Sequence, residues 1–376
     1  MAALCSKGGP ETVLLEAITT EIDRLGWRLI VVRDGDRAGL EADVLLMLGH
    51  GRTFRQYAHL LRRTADRHAR TILWQADPLL PPTLTESVRR KALTAAGIYD
   101  RLNWIGSLIG VISFGQSSLG RRLATQRAIY RFASKPLFLL ATARTFPPES
   151  KRKWDRVNYR TIRVTAECEQ WIRRAVREGW LDHLCVSTIQ KQRYLAEHGI
   201  ASTFAPLGVY PALGRDMNLE RDIDVLFIGT VRRGERRERL LEWLQRDCRQ
   251  RGVRLHVVTG GCRGEARTEL LNRARLLLHL HQYPWDTPWI RLFMGTACGA
   301  ALLSEPISDA RPFQPGVHYA EAAADQLVEA AVDLLDDPPR IEQIVTTAQD
   351  CIQREFTLGR SLRTILRLCP SMVAGP

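Results

Sequence analysis

Lysine is almost missing from this chain of 376 residues: of its 54 basic side chains only six are lysines, and the rest are arginines. Its positive charge is thus carried by planar guanidinium groups, which suit two-pronged contact with carboxylate or phosphate. Long hydrophobic runs are lacking too. The nearest approach, Trp104 to Phe114, is broken by Gly106, Ser107, Gly110 and Ser113 and falls short of the roughly 20 apolar residues needed to cross a bilayer. No transmembrane helix is expected. The N-terminus has no cationic head followed by an apolar stretch, and Ala2-Ala3-Leu4-Cys5, which echoes a lipoprotein cleavage site, sits too near Met1 to be processed. A cytoplasmic protein is expected. The eight cysteines form no Cys-x-x-Cys pair and no histidine is placed to complete a zinc site, so reduced thiols and no bound metal are expected.

Acidic residues are scarce in one place only. The formal charge of +13 belongs entirely to residues 1–210, and within them residues 101–163 carry thirteen basic side chains against two acids, Glu149 and Asp155. Such a field attracts anions: lipid headgroups, a phosphorylated acceptor, or nucleic acid. The solvated face of an arginine-rich protein accounts for it equally well. A nucleic-acid surface is disfavoured, because Trp104, Tyr130, Phe132 and Trp154 form no stacking series. Peripheral contact with the inner face of an anionic membrane stays open.

What is present is alternation. Thr12 to Leu25 has helical spacing. Strand runs follow at Arg28 to Val32, Ala42 to Leu48 and Thr71 to Trp74, with a helix from Thr53 to Ala69 between the last two. Residues 85–180 read as mostly helical and polar. Strand signal returns at His183 to Ser187, before a helix from Ile189 to His198. The turn-rich segment Pro206 to Arg221 reads as a linker. A second series then runs strand Ile223–Ile228, helix Arg236–Arg251, strand Arg254–Thr259, helix Gly264–Ala274, strand Arg275–His281, helix Pro288–Cys298 and strand Ala301–Ser304. Helices at Ala324–Leu335 and Arg340–Arg354 close it. Strands alternating with helices form parallel sheets covered on both faces. The expectation is an α/β protein of two Rossmann-like domains facing across a cleft: residues 1–210, then 222–355, with 356–376 as a C-terminal helix and tail. Ligands then belong in the loops after the strands.

In the second domain the loop from Gly229 to Glu235 leads from a strand into a helix. Gly229 and Thr230 let a phosphate approach the backbone, the helix N-terminus supplies donors, and Arg232 and Arg233 can pair with a diphosphate. It is neither a P-loop nor a dinucleotide fingerprint, and an ordinary turn with exposed arginines fits it too. The stretch Leu276 to Glu305 says more. Its histidine-ended strand, Arg291-x-Phe293 helix, Ala297-x-Gly299 and Ser304-Glu305, followed by Phe313-x-x-Gly316-Val317-His318-Tyr319, resemble the donor lobe of GT-B glycosyltransferases. The resemblance is to the spore-coat CgeB-like branch and to the family 1 and 4-like group. It covers roughly 180–360, and the first 180 residues match in architecture alone. One position departs from the family. Where many GT-B enzymes carry a glutamate that serves as a ribose ligand, this chain has Met294, which cannot accept those hydrogen bonds.

The resemblance implies a nucleotide diphosphate sugar as donor substrate, with no separate cofactor, and transfer to a glycan, lipid-linked, protein or small-molecule acceptor. Arg291 would neutralise the leaving phosphate without a metal. His281, Tyr283, Ser304 and Glu305 join Gly229, Thr230, Arg232 and Arg233 as donor-binding candidates. A general base, if inversion requires one, would come from a strand-end loop of the first domain, where His50 and Asp77 sit; either is also an ordinary turn residue. A non-catalytic nucleotide- or glycan-binding protein is the rival reading.

Overall fold

A computed structural model describes residues 1–6, 12–49, 54–64, 68–75, 79–80, 86, 89–94, 96–97, 159–233, 236–282 and 287–369. The chain divides into two compact units, residues 1–77 together with 178–376, and residues 78–177. The first unit contains two parallel sheets. One is built from β1 (Ala2–Ser6), β2 (Leu29–Val32), β3 (Val44–Leu48), β4 (Arg70–Gln75), β5 (His183–Val186) and β6 (Thr203–Phe204), in the spatial order β2-β1-β3-β4-β5-β6. The other is built from β7 (Ile223–Gly229), β8 (Leu255–Thr259), β9 (Ala274–His279), β10 (Ala301–Ser304) and β11 (Ala320–Glu321), in the order β11-β10-β9-β7-β8. All their pairings are parallel, and within each sheet helices connect successive strands except β10 and β11, which a loop joins, as the α/β expectation requires.

The sequence reading missed β1. Ala2 to Cys5, which resembles a lipid-attachment site in isolation, is a fully buried strand in register with Leu29 to Val32 on one side and Val44 to Met47 on the other. Its run of small and apolar side chains is what a strand flanked on both sides needs. Burial pushes the Cys5 thiol up to about 12, so it is a small hydrophobe at neutral pH. None of the eight cysteines is in a disulfide; Cys262 and Cys351 are half-buried and the other six are buried.

In each sheet the first strand in sequence lies inside the sheet, with its successor on one side and a later strand on the other. β7 has β8 on one flank and β9 on the other. The strand order therefore reverses between β7 and β9, and helices leave to opposite faces at that point. The resulting gap at the carboxyl ends is where an open α/β sheet binds ligands. Apolar runs hold the sheet: Val225, Leu226 and Phe227 of β7 and Leu276, Leu277 and Leu278 of β9 are buried.

The linker between the sheets is pinned to the end of the chain. Val209 N–H donates to the Phe356 carbonyl at 2.7 Å, and Leu358 N–H donates back to Val209 at 3.0 Å. Gly208, at φ +72°, makes this approach possible, because a Cβ there would lie 2.5 Å from the Thr357 carbonyl carbon. Thr357 caps the helix Leu358–Leu366 by accepting from Arg360 N–H. That helix packs on Thr12–Arg24 beside the first sheet; Gly359 meets the Glu21 side chain there. Between the helix Ile189–Glu197 and the loop after β10, the Gln190 amide donates to Ser308 Oγ and Arg193 Nη1 lies 3.5 Å from Asp309 Oδ2.

In the second unit the described residues centre on the helix Tyr159–Arg177. Its buried Glu169 accepts from Arg89 Nη2 at 2.5 Å and from Arg173 Nε at 3.0 Å. Residues 101–158, which hold most of the basic concentration, lie outside the described residues. Among the described residues, no helix is long and apolar enough to cross a membrane.

Candidate donor site

The carboxyl ends of β7, β9 and β10 bring together side chains far apart in sequence. Arg291 lies in the first turn of the helix Trp289–Ala297 and reaches back over the strand ends. Its Nη1 is 3.2 Å from Nδ1 of His279, the last residue of β9, and its Nη2 is 3.4 Å from the Ile228 carbonyl of β7. The guanidinium therefore spans the β7–β9 gap where strand order reverses. Gly229 allows this: a Cβ there would come within 3.0 Å of Arg291 Nη2 and 3.2 Å of the Phe227 ring. Two of the sequence-predicted residues, 229 and 291, are thus neighbours.

Behind Arg291 runs a chain of imidazoles. His279 Nε2 is 3.3 Å from His281 Nδ1, and His281 Nε2 is 3.0 Å from the Pro306 carbonyl. Both rings are buried. Their tautomers follow from the ends of the chain. A carbonyl only accepts, so His281 carries its proton on Nε2 and presents Nδ1 as an acceptor. His279 then donates from Nε2 and accepts Arg291 on Nδ1. Burial holds the His279 pKa well below the ordinary histidine value, and the charges of Arg291, His281, Arg237 and Arg236 push it the same way. His279 is neutral.

Below this chain lies an ion pair. Glu305, just past β10, accepts from both arms of Arg236, with Nη1 2.8 Å from Oε2, and also from the His281 N–H at 2.7 Å. Arg236 Nη1 lies 3.3 Å from the His281 carbonyl as well. Its neighbour Arg237 is buried and donates from Nε to the Leu280 carbonyl at 2.9 Å and from Nη1 to the Thr230 carbonyl at 3.4 Å. Arg236 and Arg237 open the helix Arg236–Gln250. They lock its N-terminus against the end of β9, so that the first-turn amides stand beside the strand ends. A cation at a helix N-terminus is opposed by the helix dipole, so two buried there need partners such as the Glu305 carboxylate and the strand-end carbonyls.

The predicted donor residues thus fall into groups. Gly229, His281 and Arg291 come together at the gap. Thr230 and Arg233 are exposed, and Arg232 is half-buried, on the loop entering the helix. Ser304 is fully buried, and its hydroxyl donates to the Glu305 carbonyl at 2.8 Å. Glu305 is committed to Arg236 and His281 N–H, an anchoring geometry rather than a projecting carboxylate. His50, Asp77 and Tyr283 lie outside the described residues. Met294 is half-buried and packs on the apolar core.

Three participants escaped sequence reasoning: His279, Arg236 and Arg237. His279 was legible in principle, because period two along Leu278-His279-Leu280-His281 places both histidines on one face. The arginine pair gave a second signal, since basic residues in a first helical turn oppose the dipole. Among the described residues no cluster of three His, Cys, Asp or Glu side chains is placed to hold a metal ion.

Two parallel Rossmann-like sheets, each with an internal reversal of strand order, define a GT-B fold, with a cation-lined gap in the second sheet. Comparison with known proteins agrees. Residues 232–367 match the Glycosyl transferase-like family. Over nearly their whole lengths, the fold is similar to that of HepE from Anabaena, solved in complex with UDP and glucose (TM-score 0.55, 9% identity, 99% of this chain and 100% of that one). It is similar also to sucrose-phosphate synthase from Thermosynechococcus elongatus (TM-score 0.53, 10% identity, 98% and 99% covered). No curated protein matches the chain in sequence. The chain has the GT-B fold, and the match to the glycosyl transferase-like family lies in its second sheet and the helices that follow.

Proposed function

We propose that this protein transfers a hexosyl group from a nucleoside diphosphate sugar to an acceptor hydroxyl, and that the gap between β7 and β9 receives the diphosphate. The observation that carries this reading is the placement of Arg291 across that gap, held by His279 and the Ile228 carbonyl. In the reaction the bond between the anomeric carbon and the β-phosphate oxygen breaks and a bond from the acceptor oxygen to the same carbon forms. The acceptor proton passes to a base, to the leaving phosphate or to water. Negative charge grows on the departing diphosphate, and a fixed guanidinium beside the N-terminus of the helix Arg236–Gln250 stabilises it in the role that a metal ion fills in other transferases. The amides and arginines of residues 230–233 extend the anion-binding edge. HepE, which shares the fold, was also solved with UDP-glucose, so UDP-glucose is the first donor to test.

The acceptor is assigned to residues 1–210, which carry the whole excess of positive charge in the sequence. A lipid-linked or phosphorylated acceptor, met at an anionic membrane from the cytoplasmic side, fits that charge. A second reading, a nucleotide-binding protein without turnover, is favoured by one observation: Met294 packs against apolar neighbours where a ribose-binding carboxylate stands in many GT-B enzymes. Donor-dependent thermal stabilisation followed by slow hydrolysis of the same donor separates the two. Stabilisation with hydrolysis supports the transferase, stabilisation without it supports the binder, and neither response with any UDP, GDP, TDP or CMP sugar removes both.

A further inference from the structure

The five residues that follow β10 belong to two neighbourhoods at once. The first two face the donor site: the Glu305 carboxylate accepts from Arg236 and from the His281 N–H, and the Pro306 carbonyl lies 3.0 Å from His281 Nε2. The last two meet the helix Ile189–Glu197, which follows β5 of the first sheet. There the Gln190 amide donates to Ser308 Oγ, and Arg193 Nη1 lies 3.5 Å from Asp309 Oδ2. Asp309 also accepts from Arg311, from Nε at 2.9 Å and from Nη2 at 2.8 Å. Ile307 stands between the two pairs, buried, with its N–H donating to Glu321 Oε2 at 3.1 Å.

Proline fixes its own φ and keeps the residue before it out of the helical region, so Glu305 and Pro306 move as one piece. Ile307, fixed by its side chain and its N–H, is a pivot between that piece and Ser308–Asp309. A shift at the outer end turns the inner end, and the inner end holds the N-terminus of the helix Arg236–Gln250 beside the β7–β9 gap. The outer contacts are polar, with the Arg193 side chain 55% exposed, so each is worth little by itself. Glu305 and His281 at the inner end are buried.

We infer that Gln190 and Arg193, from the first sheet's helix, are positioning residues of the donor site: by holding Ser308 and Asp309 they set the segment that carries Glu305 and Pro306, and through it the helix N-terminus at the diphosphate gap. The inference rests on the donor-site reading above and deepens it, since it adds a control of donor affinity from outside the second sheet. Neither residue touches the donor in this role.

The measurement is calorimetric affinity of the full chain for UDP, GDP, ADP and TDP, taking whichever the unaltered protein binds. Because each outer contact is small, the charge is reversed rather than merely removed. Arg193→Asp should weaken diphosphate binding roughly fivefold and Gln190→Ala about threefold, the usual reach of one exposed polar contact. Asp309→Arg should weaken it as well. Arg193→Asp combined with Asp309→Arg restores opposite charges and should bind more tightly than either single variant, the non-additive mark of a direct pair. Without ligand, Arg193→Asp and Gln190→Ala should melt within about 2 °C of the unaltered protein, as substitutions at weakly held surface positions do. A merely structural contact would lower melting in step with affinity.

The outcomes are separable. If the unaltered protein binds no nucleoside diphosphate, the donor-site reading falls and this inference with it. If it binds, and Arg193→Asp and Gln190→Ala bind as tightly as the unaltered protein, the donor site stands and the helix Ile189–Glu197 has no hold on it. A loss of affinity that comes with a matching fall in melting, or that Asp309→Arg fails to relieve in combination, also overturns the inference.

Discussion

Arg236 and Glu305 join the first residue of the helix Arg236–Gln250 to the residue after β10, with side chains only 11% and 4% exposed. The pair is a fastening between helix and sheet. Removing one member of a buried pair leaves the other short of its partner, at a typical loss of about 3–5 kcal/mol. Glu305→Ala should therefore lower unfolding stability by roughly 3 kcal/mol, while Glu305→Gln, which keeps an acceptor for Arg236 and for the His281 N–H, should lose about half of that. Denaturant unfolding checks both. An unfolding midpoint for Glu305→Ala equal to that of the unaltered protein would show that the pair holds nothing.

Gly229 is the second test position, because the space above it belongs to Arg291. A methyl group there would stand 3.0 Å from Nη2, tighter than ordinary contact, and would push the guanidinium off the β7–β9 gap. Gly229→Ala is expected to weaken nucleoside diphosphate binding by about tenfold while changing stability by about 1 kcal/mol or less, since a flexible side chain yields more cheaply than backbone. Parallel calorimetry and thermal melting give the two numbers. A loss of stability with unchanged affinity would place the strain elsewhere.

The contrast between what was readable and what was not follows from length and periodicity. Strands β7 to β10 of the second sheet announce themselves as apolar runs such as Leu276-Leu277-Leu278 between helices, and the boundaries read there hold to within a residue or two: the strand expected over Arg275–His281 is Ala274–His279, whereas the short strand expected near Val317 to Tyr319 is Ala320–Glu321. β1 failed because its Ala2-Ala3-Leu4-Cys5 run reads as an echo of a lipoprotein site and not as a strand. β6 failed because a strand of two residues carries no period at all. At the site, Gly229 was legible as a small residue in a strand-to-helix loop and Arg291 as a cation at the start of a helix. Their contact was not, because it depends on the strand order of the sheet. Glu305 is a donor-ligand candidate through the resemblance of Ser304-Glu305 to the GT-B donor lobe; that Arg236 pairs with it is a tertiary fact, invisible without the approach of helix to sheet. His279 hid among leucines, where a histidine reads as a satisfied core residue.

Arg291 itself should separate charge from geometry. Arg291→Lys keeps a cation but offers a point charge on a flexible stem, which cannot bridge His279 and the Ile228 carbonyl as the planar fork does. In a donor-hydrolysis or transfer assay, both Arg291→Ala and Arg291→Lys are expected to lose on the order of a hundredfold in kcat, with the lysine variant retaining more of the affinity for the nucleoside diphosphate. Such a split, affinity partly kept and turnover lost, marks an interaction that strengthens as the bond breaks. A lysine variant with full turnover would reduce Arg291 to a generic positive charge.

The buried imidazole also makes stability depend on pH in a predictable direction. Within the fold His279 resists protonation, because burial and the adjacent arginines hold its pKa well below the ordinary value; in the unfolded chain it titrates near 6.5. Above that pH both states are neutral and the group has no effect. As the pH falls through 6.5, the unfolded chain takes up a proton that the folded chain refuses, so stability is lost by up to about 1.4 kcal/mol per pH unit. His318, whose pKa is also lowered by burial, acts in the same direction, so the unaltered protein alone cannot isolate the effect. Comparison with His279→Asn can. Denaturant unfolding at pH 7.5, 6.5 and 5.5 should show the unaltered protein losing stability relative to the variant as the solution is acidified, with the gap constant above 6.5. Two parallel pH profiles would mean that His279 accepts a proton in the folded state as readily as in the unfolded one, and the neutral imidazole facing Arg291 would have to be abandoned.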